Sequence, residues 1–199
     1  MASTANAPRR LSSALVAFAC VALAAGVLWS VLGKNIGKHS LGTGGVETAS
    51  TTPIKLGPSG LPIPRFVSLK AEKVNVRTGP SSDHDVAWVF QSKGLPVEIV
   101  AEFETWRRIR DSEGAEGWIL QNMLAGKRTI VVAPWKKDKL ISLFYSASAA
   151  EAPIAKLASG AMGDIESCDG NWCNVKIGGY RGYVEQSLLW GAYPGEVVN

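Results

Sequence analysis

Two stretches of this chain align without a gap at a spacing of sixty-six residues: 93–110, KGLPVEIVAEFETWRRIR, and 159–176, SGAMGDIESCDGNWCNVK. Gly94 falls on Gly160, Glu98 on Asp164, Ile99 on Ile165, Trp106 on Trp172, Ile109 on Val175 and Arg110 on Lys176. Further on, Gly117-Trp118-Ile119 answers to Gly182-Tyr183-Val184 with one residue fewer between. Repetition of position and residue type together means one small folding unit used twice. A unit of about 60 residues buries only about 60% of the surface its unfolded chain exposes, so each copy needs a cross-link or a neighbour to support it.

The apolar spacing within each copy is two-fold and short, with frequent turns, which predicts small antiparallel β units. In the first copy the strands are expected at 74–77, 87–90, 97–103, 106–110 and 117–120, with one helical turn over 121–124. In the second they are expected at 140–145, 153–157, 162–168, 172–177 and 180–184. Val97, Ile99, Ala101 and Phe103 alternate with Glu98, Val100 and Glu102, so one face of that strand is apolar. Asp111-Ser112-Glu113-Gly114, Asp169-Gly170-Asn171 and Gly178-Gly179 carry the residues that reverse chains.

Ahead of the repeats, Arg9-Arg10 precede twenty-two uncharged residues, 11–32, and Lys34 follows. A helix of that length spans roughly 30 Å, the hydrocarbon thickness of a bilayer. Residues 1–33 therefore read as a transmembrane anchor or as a signal peptide, the second because 11–21 suffices for an apolar core and Ala22-Leu23-Ala24 offers small residues for cleavage. Residues 34–64, rich in Gly, Ser, Thr and Pro, read as a flexible linker, with Leu61-Pro62-Ile63-Pro64 extended in polyproline fashion. The repeats then occupy 65–130 and 131–194. The net charge of +4 lies in the tail: residues 1–65 carry six basic side chains against one acid, and the other 134 carry 15 against 16. A nearly neutral globular part excludes a nucleic-acid partner, which calls for a basic face.

Material for catalysis is thin. The only histidines are His39 in the linker and His84 in the loop Ser81-Ser82-Asp83-His84-Asp85. Closed zinc sites want three or four Cys or His ligands, so that loop reads as a solvated turn, and neither metal nor cofactor is expected. Cys168 and Cys173 stand on the two arms of one turn, close enough for a bridge in an exported protein; two unbridged thiols are the other reading. A bridge would stabilise the small ring by roughly 2 kcal/mol and leave no thiol nucleophile.

Val74-Asn75-Val76-Arg77-Thr78-Gly79-Pro80, then Gly94, Trp106-x-x-Ile109, Gly117-Trp118-Ile119 and Leu124, resemble in order and spacing a bacterial SH3 (SH3b) domain, in the tandem form of exported proteins. The resemblance covers about 64–192. It implies an all-β protein of two tandem SH3-like barrels, each partly open and five-stranded, with Asn75-Val76-Arg77 leading into a long binding loop. The second copy departs from it, since Ile141-Ser142-Leu143-Phe144-Tyr145-Ser146 stands where Asn75 to Pro80 stood, so loop chemistry tied to Arg77 belongs to the first copy alone. It further implies a non-enzymatic binding module, and the short N-terminus, the export-like apolar segment and the expected bridge place it outside the cytoplasm, in the periplasm, either tethered by the N-terminal helix or released. The partner is peptidoglycan or its peptides, or alternatively another protein of an envelope complex. An enzyme whose centre escapes recognition is the third reading.

The candidate ligand-binding residues are Arg77, Trp106, Arg108 and Trp118. Strand parity sets Trp106, Arg108 and Arg110 on one face and Arg107 with Ile109 on the other. With Ile109 inward, Trp106 would lie at the surface beside two guanidinium groups, a platform for a peptide carboxylate or a glycan. Each Trp also has a core role to fill in so small a barrel.

Overall fold

The computed structural model describes residues 55–199. The expectations for residues 1–33, and those for the linker up to residue 54, lie outside them. Among the described residues no helix is long and apolar enough to cross a membrane. Every regular element there is a strand or a single 3₁₀ turn.

The first copy comprises β1 (Arg65–Leu69), β2 (Val74–Arg77), β3 (Val86–Phe90), β4 (Pro96–Phe103), β5 (Trp106–Arg110), β6 (Glu116–Leu120) and β7 (Leu124–Ala125). They form one antiparallel sheet in the order β3-β2-β6-β5-β4-β1-β7. The second copy comprises β8 (Thr129–Val132), β9 (Leu140–Leu143), β10 (Ala155–Ala158), β11 (Met162–Asp169), β12 (Trp172–Ile177), β13 (Tyr180–Glu185), β14 (Leu189–Trp190) and β15 (Val197–Val198). Here β13-β12-β11-β8-β14 form the main sheet, with β15 beside β11; β9 and β10 make a separate ribbon, joined to β13 through the pair Phe144–Tyr183. The 3₁₀ turns Gln121–Met123 and Gln186–Leu188 close the copies at equivalent places.

Each copy has its own apolar core. Val74, Val76, Val97, Ile99, Ile109 and Ile119 fill the first, and Ile130, Val132, Leu143, Cys173, Val175 and Val184 belong to the second. The repeat holds at the level of hydrogen-bond register. Glu98 faces Arg110 as Asp164 faces Lys176, and both hairpins carry a bulge at the same point, between Ile99 and Ala101 and between Ile165 and Ser167. Gly117 and Gly182 persist because their strands cross a neighbour too closely for a side chain. A Cβ at 117 would collide with Val76, and one at 182 with the carbonyl oxygen of Phe144.

Three sequence expectations need correcting. Residues 55–64 are not linker: Leu56 pairs with Pro62, Ser59 donates to Glu102 from both its amide and its hydroxyl at 2.8 Å, and Ile63 is buried in the first core. The flanking strands β1, β7, β8 and β14 were not expected, being too short or too uniformly apolar to alternate. Strand β8 also straddles the 130/131 boundary and belongs wholly to the second sheet.

Candidate binding groove

The outer face of the first copy is built by alternation. On β2, Val74 and Val76 go to the core and leave Asn75 and Arg77 outside; on β6, Gly117 and Ile119 turn inward and leave Trp118 and Leu120 outside. Register then sets Arg77 opposite Trp118, Trp118 opposite Arg108, and Leu120 opposite Trp106. All four candidate residues thus share one face of the sheet.

They do not share one cavity. A groove of about 300 Å³ is lined by Lys73, Asn75, Arg77, Trp106, Leu120 and Met123. Trp106 is only 7% exposed and lies outside the core cluster, so it forms a floor rather than an open platform. Its expected guanidinium partners are engaged elsewhere: Arg108 pairs with Glu116 at 2.8 Å and Arg110 with Glu98 at 2.6 Å. The bond to Glu98 and its charge raise the Arg110 pKa further above its ordinary value. Trp118, half-buried, sits between Arg77 and Arg108 and does not line the groove.

Lys73 and Arg77 are the groove's cations, and among the described residues neither has a carboxylate partner. Arg77 Nη1 donates to the carbonyl of His84 at 2.6 Å, and the Thr78 amide donates to Asp85 at 3.0 Å, so the loop 78–85 is closed upon β2. A Cβ at Gly79 would meet the exposed His84 imidazole, which would have to rotate away. Lys73, Leu120 and Met123 went unnoticed in the sequence, and Asn75 entered only as part of the motif. Two-residue alternation with Arg77 and Trp118 could have found Asn75 and Leu120; Met123 lies in the 3₁₀ turn, where no alternation exists.

The β4–β5 hairpin also carries a buried ion cluster. Glu102, its side chain 1% exposed, takes Arg65 at 2.7 Å and Arg107 at 3.3 Å. Burial alone would raise its pKa, but the Ser59 amide, Arg65, the Ser59 hydroxyl and Arg107 together hold it below the ordinary value. Cys168 and Cys173 occupy the equivalent pair of positions in the second copy and are joined by a disulfide with Cα atoms 4.1 Å apart. One hairpin is therefore cross-linked by charge and the other covalently.

The corresponding face of the second copy lacks counterparts of Arg77 and Arg108. Phe144 faces Tyr183 where Arg77 faces Trp118, Asn174 stands in the place of Arg108, and Glu185 in that of Leu120. Phe144 packs edge-on against Trp172 with centroids 5.7 Å apart. Among the described residues no group of three or more His, Cys, Asp or Glu side chains gathers to hold a metal.

No curated protein matches the chain significantly. Among solved structures it is similar to NlpC2 from Trichomonas vaginalis, with 15% identity, covering 64% of this chain and 48% of that one at a TM-score of 0.28. It is similar also to NlpC1 from the same organism, with 13% identity, 67% and 48% coverage, and a TM-score of 0.29. The chain spans about half the length of each. The family model described as bacterial SH3 domain matches twice, at 70–126 and 137–191, together more than half of the chain. Both matches begin after the first strand of their sheets, β1 and β8, and together they take in the groove, the disulfide hairpin and both equivalent glycines; the chain belongs to the bacterial SH3 domain family and carries that domain twice.

Proposed function

We propose that this chain is a non-enzymatic binding and positioning module acting outside the cytoplasm, and that its first domain recognises peptidoglycan through a peptide carboxylate. The observation that carries this reading is the groove in which Lys73 and Arg77, unmatched by any acid among the described residues, flank an apolar surface of Trp106, Leu120 and Met123. A cation beside an aromatic floor suits a short peptide end: the carboxylate takes the guanidinium and ammonium, and the neighbouring aliphatic side chain covers the indole edge. Asn75 supplies an amide for the peptide backbone. Membership of the family, whose resemblance already implied cell-wall binding, supports the same ligand class. The disulfide supports an oxidising compartment. Membrane attachment through residues 11–32, or release after cleavage, belongs to this proposal, as do two domains whose limits fall between β7 and β8.

A second reading, an envelope protein as partner, is favoured by β3. It ends the first sheet and leaves Val86 42% exposed, an edge on which an extended segment could add a strand. Purified full-length protein in non-ionic detergent, sedimented with washed sacculi, separates the two. Retention by sacculi that falls roughly tenfold in Arg77→Ala, with unchanged thermal stability, supports the groove. Retention only by a protein extract of the envelope supports the second reading. Release of labelled fragments from the sacculi by the protein alone would overturn the non-enzymatic assignment.

A further inference from the structure

A second cavity, of about 350 Å³, opens where the two domains meet, and neither domain builds it alone. Its wall takes Lys70 from the end of β1, Lys93 from the turn before β4, Lys127 from the connector, Thr129 from β8, and Met162 and Asp164 from β11. Three lysines from three separate segments therefore line it, in a folded part that is otherwise nearly neutral. The one acid in the wall, Asp164, takes Lys127 at 2.8 Å. Lys70 and Lys93 have no carboxylate partner among the described residues.

A further feature sets this cleft apart from a solvated basic patch. Thr129 is 5% exposed, and its Oγ1 is buried without a hydrogen-bond partner. A buried hydroxyl left unpaired costs of order 1–3 kcal/mol, and such groups are rare in native proteins unless something else satisfies them. A rotation of the Thr129 side chain toward the cleft would present this hydroxyl to an oxyanion, to which it can donate while the lysines neutralise the charge.

The geometry points to a ligand site between the two domains for a dianionic phosphate group carried on a small organic body. The net charge of the wall is +2, three lysines against one aspartate, which matches a dianion better than a lone carboxylate. The cavity falls within the roughly 300–1,000 Å³ of small-molecule sites, so phosphate alone would leave most of it to water. Ser68, Ala125 and Met162 line the remainder and suit a glycerol or sugar portion. Such a group could arrive on a soluble phosphorylated metabolite or on a lipid headgroup. This site shares no residue with the groove on the first domain, so either can fail without the other.

The test is a titration of full-length protein in non-ionic detergent with glycerol phosphate, against chloride at matched ionic strength, read by amide chemical shifts at Lys70, Gly94, Thr129 and Gly163. Saturable shifts confined to these residues are expected, with the apparent Kd raised roughly tenfold in Lys70→Ala and in Lys93→Ala, both exposed positions whose loss should leave the melting temperature unchanged. Thr129→Val separates a ligand role from a packing accident. It should keep or raise thermal stability, because an unpaired hydroxyl is removed, and at the same time weaken glycerol phosphate binding severalfold. Flotation with vesicles of phosphatidylglycerol, compared with phosphatidylcholine, distinguishes a lipid source: Lys-dependent flotation assigns the headgroup, and its absence with retained glycerol phosphate binding assigns a soluble ligand. Shifts equal in chloride, or binding unaltered by all three substitutions, would overturn the site.

Discussion

Tyr193 is where single groups decide most. Its hydroxyl donates to Glu98 Oε1 at 2.8 Å, while the other oxygen of Glu98, a residue 2% exposed, receives two bonds from Arg110. Burial first, then the bond to Glu98 and the charges of Glu98 and Glu196, push the phenol far above its ordinary value of 10.0. A group kept protonated by folding contributes stability that is whole below its unfolded pKa and lost as pH rises beyond it. Melting curves should therefore fall above about pH 10. Tyr193→Phe should melt lower at neutral pH, by roughly 1.5–3 kcal/mol in stability, and fall less steeply with alkali. The opposite sign applies to Glu102 and Glu196, whose pKa values are lowered against the opposing effect of burial. Their contribution is present above the ordinary value of 4.5 and disappears as pH drops through the depressed folded values. Acid titration of Glu102→Gln should begin from a lower stability and lose less of it.

Among elements, the β4–β5 and β11–β12 hairpins make a controlled pair, equal in register and bulge but different in cross-link. Reduction of Cys168–Cys173 removes a ring closed over a sequence separation of 5 and should cost roughly 2 kcal/mol in stability. Urea unfolding with and without reductant, followed by resonances of each domain, measures this. The glycine positions test the strand crossings. Gly182→Ala should destabilise by about 1–3 kcal/mol, since the obstacle there is the carbonyl oxygen of Phe144, and Gly117→Ala should destabilise as well, because a Cβ there meets the fully buried Val76 and, at 3.1 Å, the carbonyl oxygen of Arg77. Most strands with clear alternation were legible from spacing. The short flanking strands were not, because two to five residues of buried chain carry no period and gain their partners only from a distant strand.

At the scale of the molecule, the two domains are joined by the chain that leaves the second. Phe66 of β1 packs edge-on against Trp190 at 5.0 Å and lies tilted against Tyr193 at 4.6 Å, with the Arg128 guanidinium 5.9 Å from its ring. Trp190 Nε1 donates to the carbonyl of Pro96 at 3.2 Å, and Arg128 holds Glu196 at 2.7 Å. Residues 190–196 thus act as a strap across the first domain. A chain ending at Leu189 should unfold in two separate calorimetric transitions where the intact protein unfolds in one; a single transition in both would refute the strap.

The repeat, the all-β character, the turn chemistry and the facing cysteines follow from the order of residues alone, since alternation and turn propensity act over a few positions and repeat wherever the pattern repeats. The identity of the groove was legible only in part. Arg77 and Trp106 could be picked out as candidates, yet parity could not tell that Trp106 would be covered or that Arg108 and Arg110 would be neutralised by Glu116 and Glu98. The folding of residues 55–64 onto Glu102, the strap and the lysine-lined cleft were decided by packing between segments tens of residues apart. Contacts of that range depend on how finished sheets meet, and no local spacing in the chain encodes them.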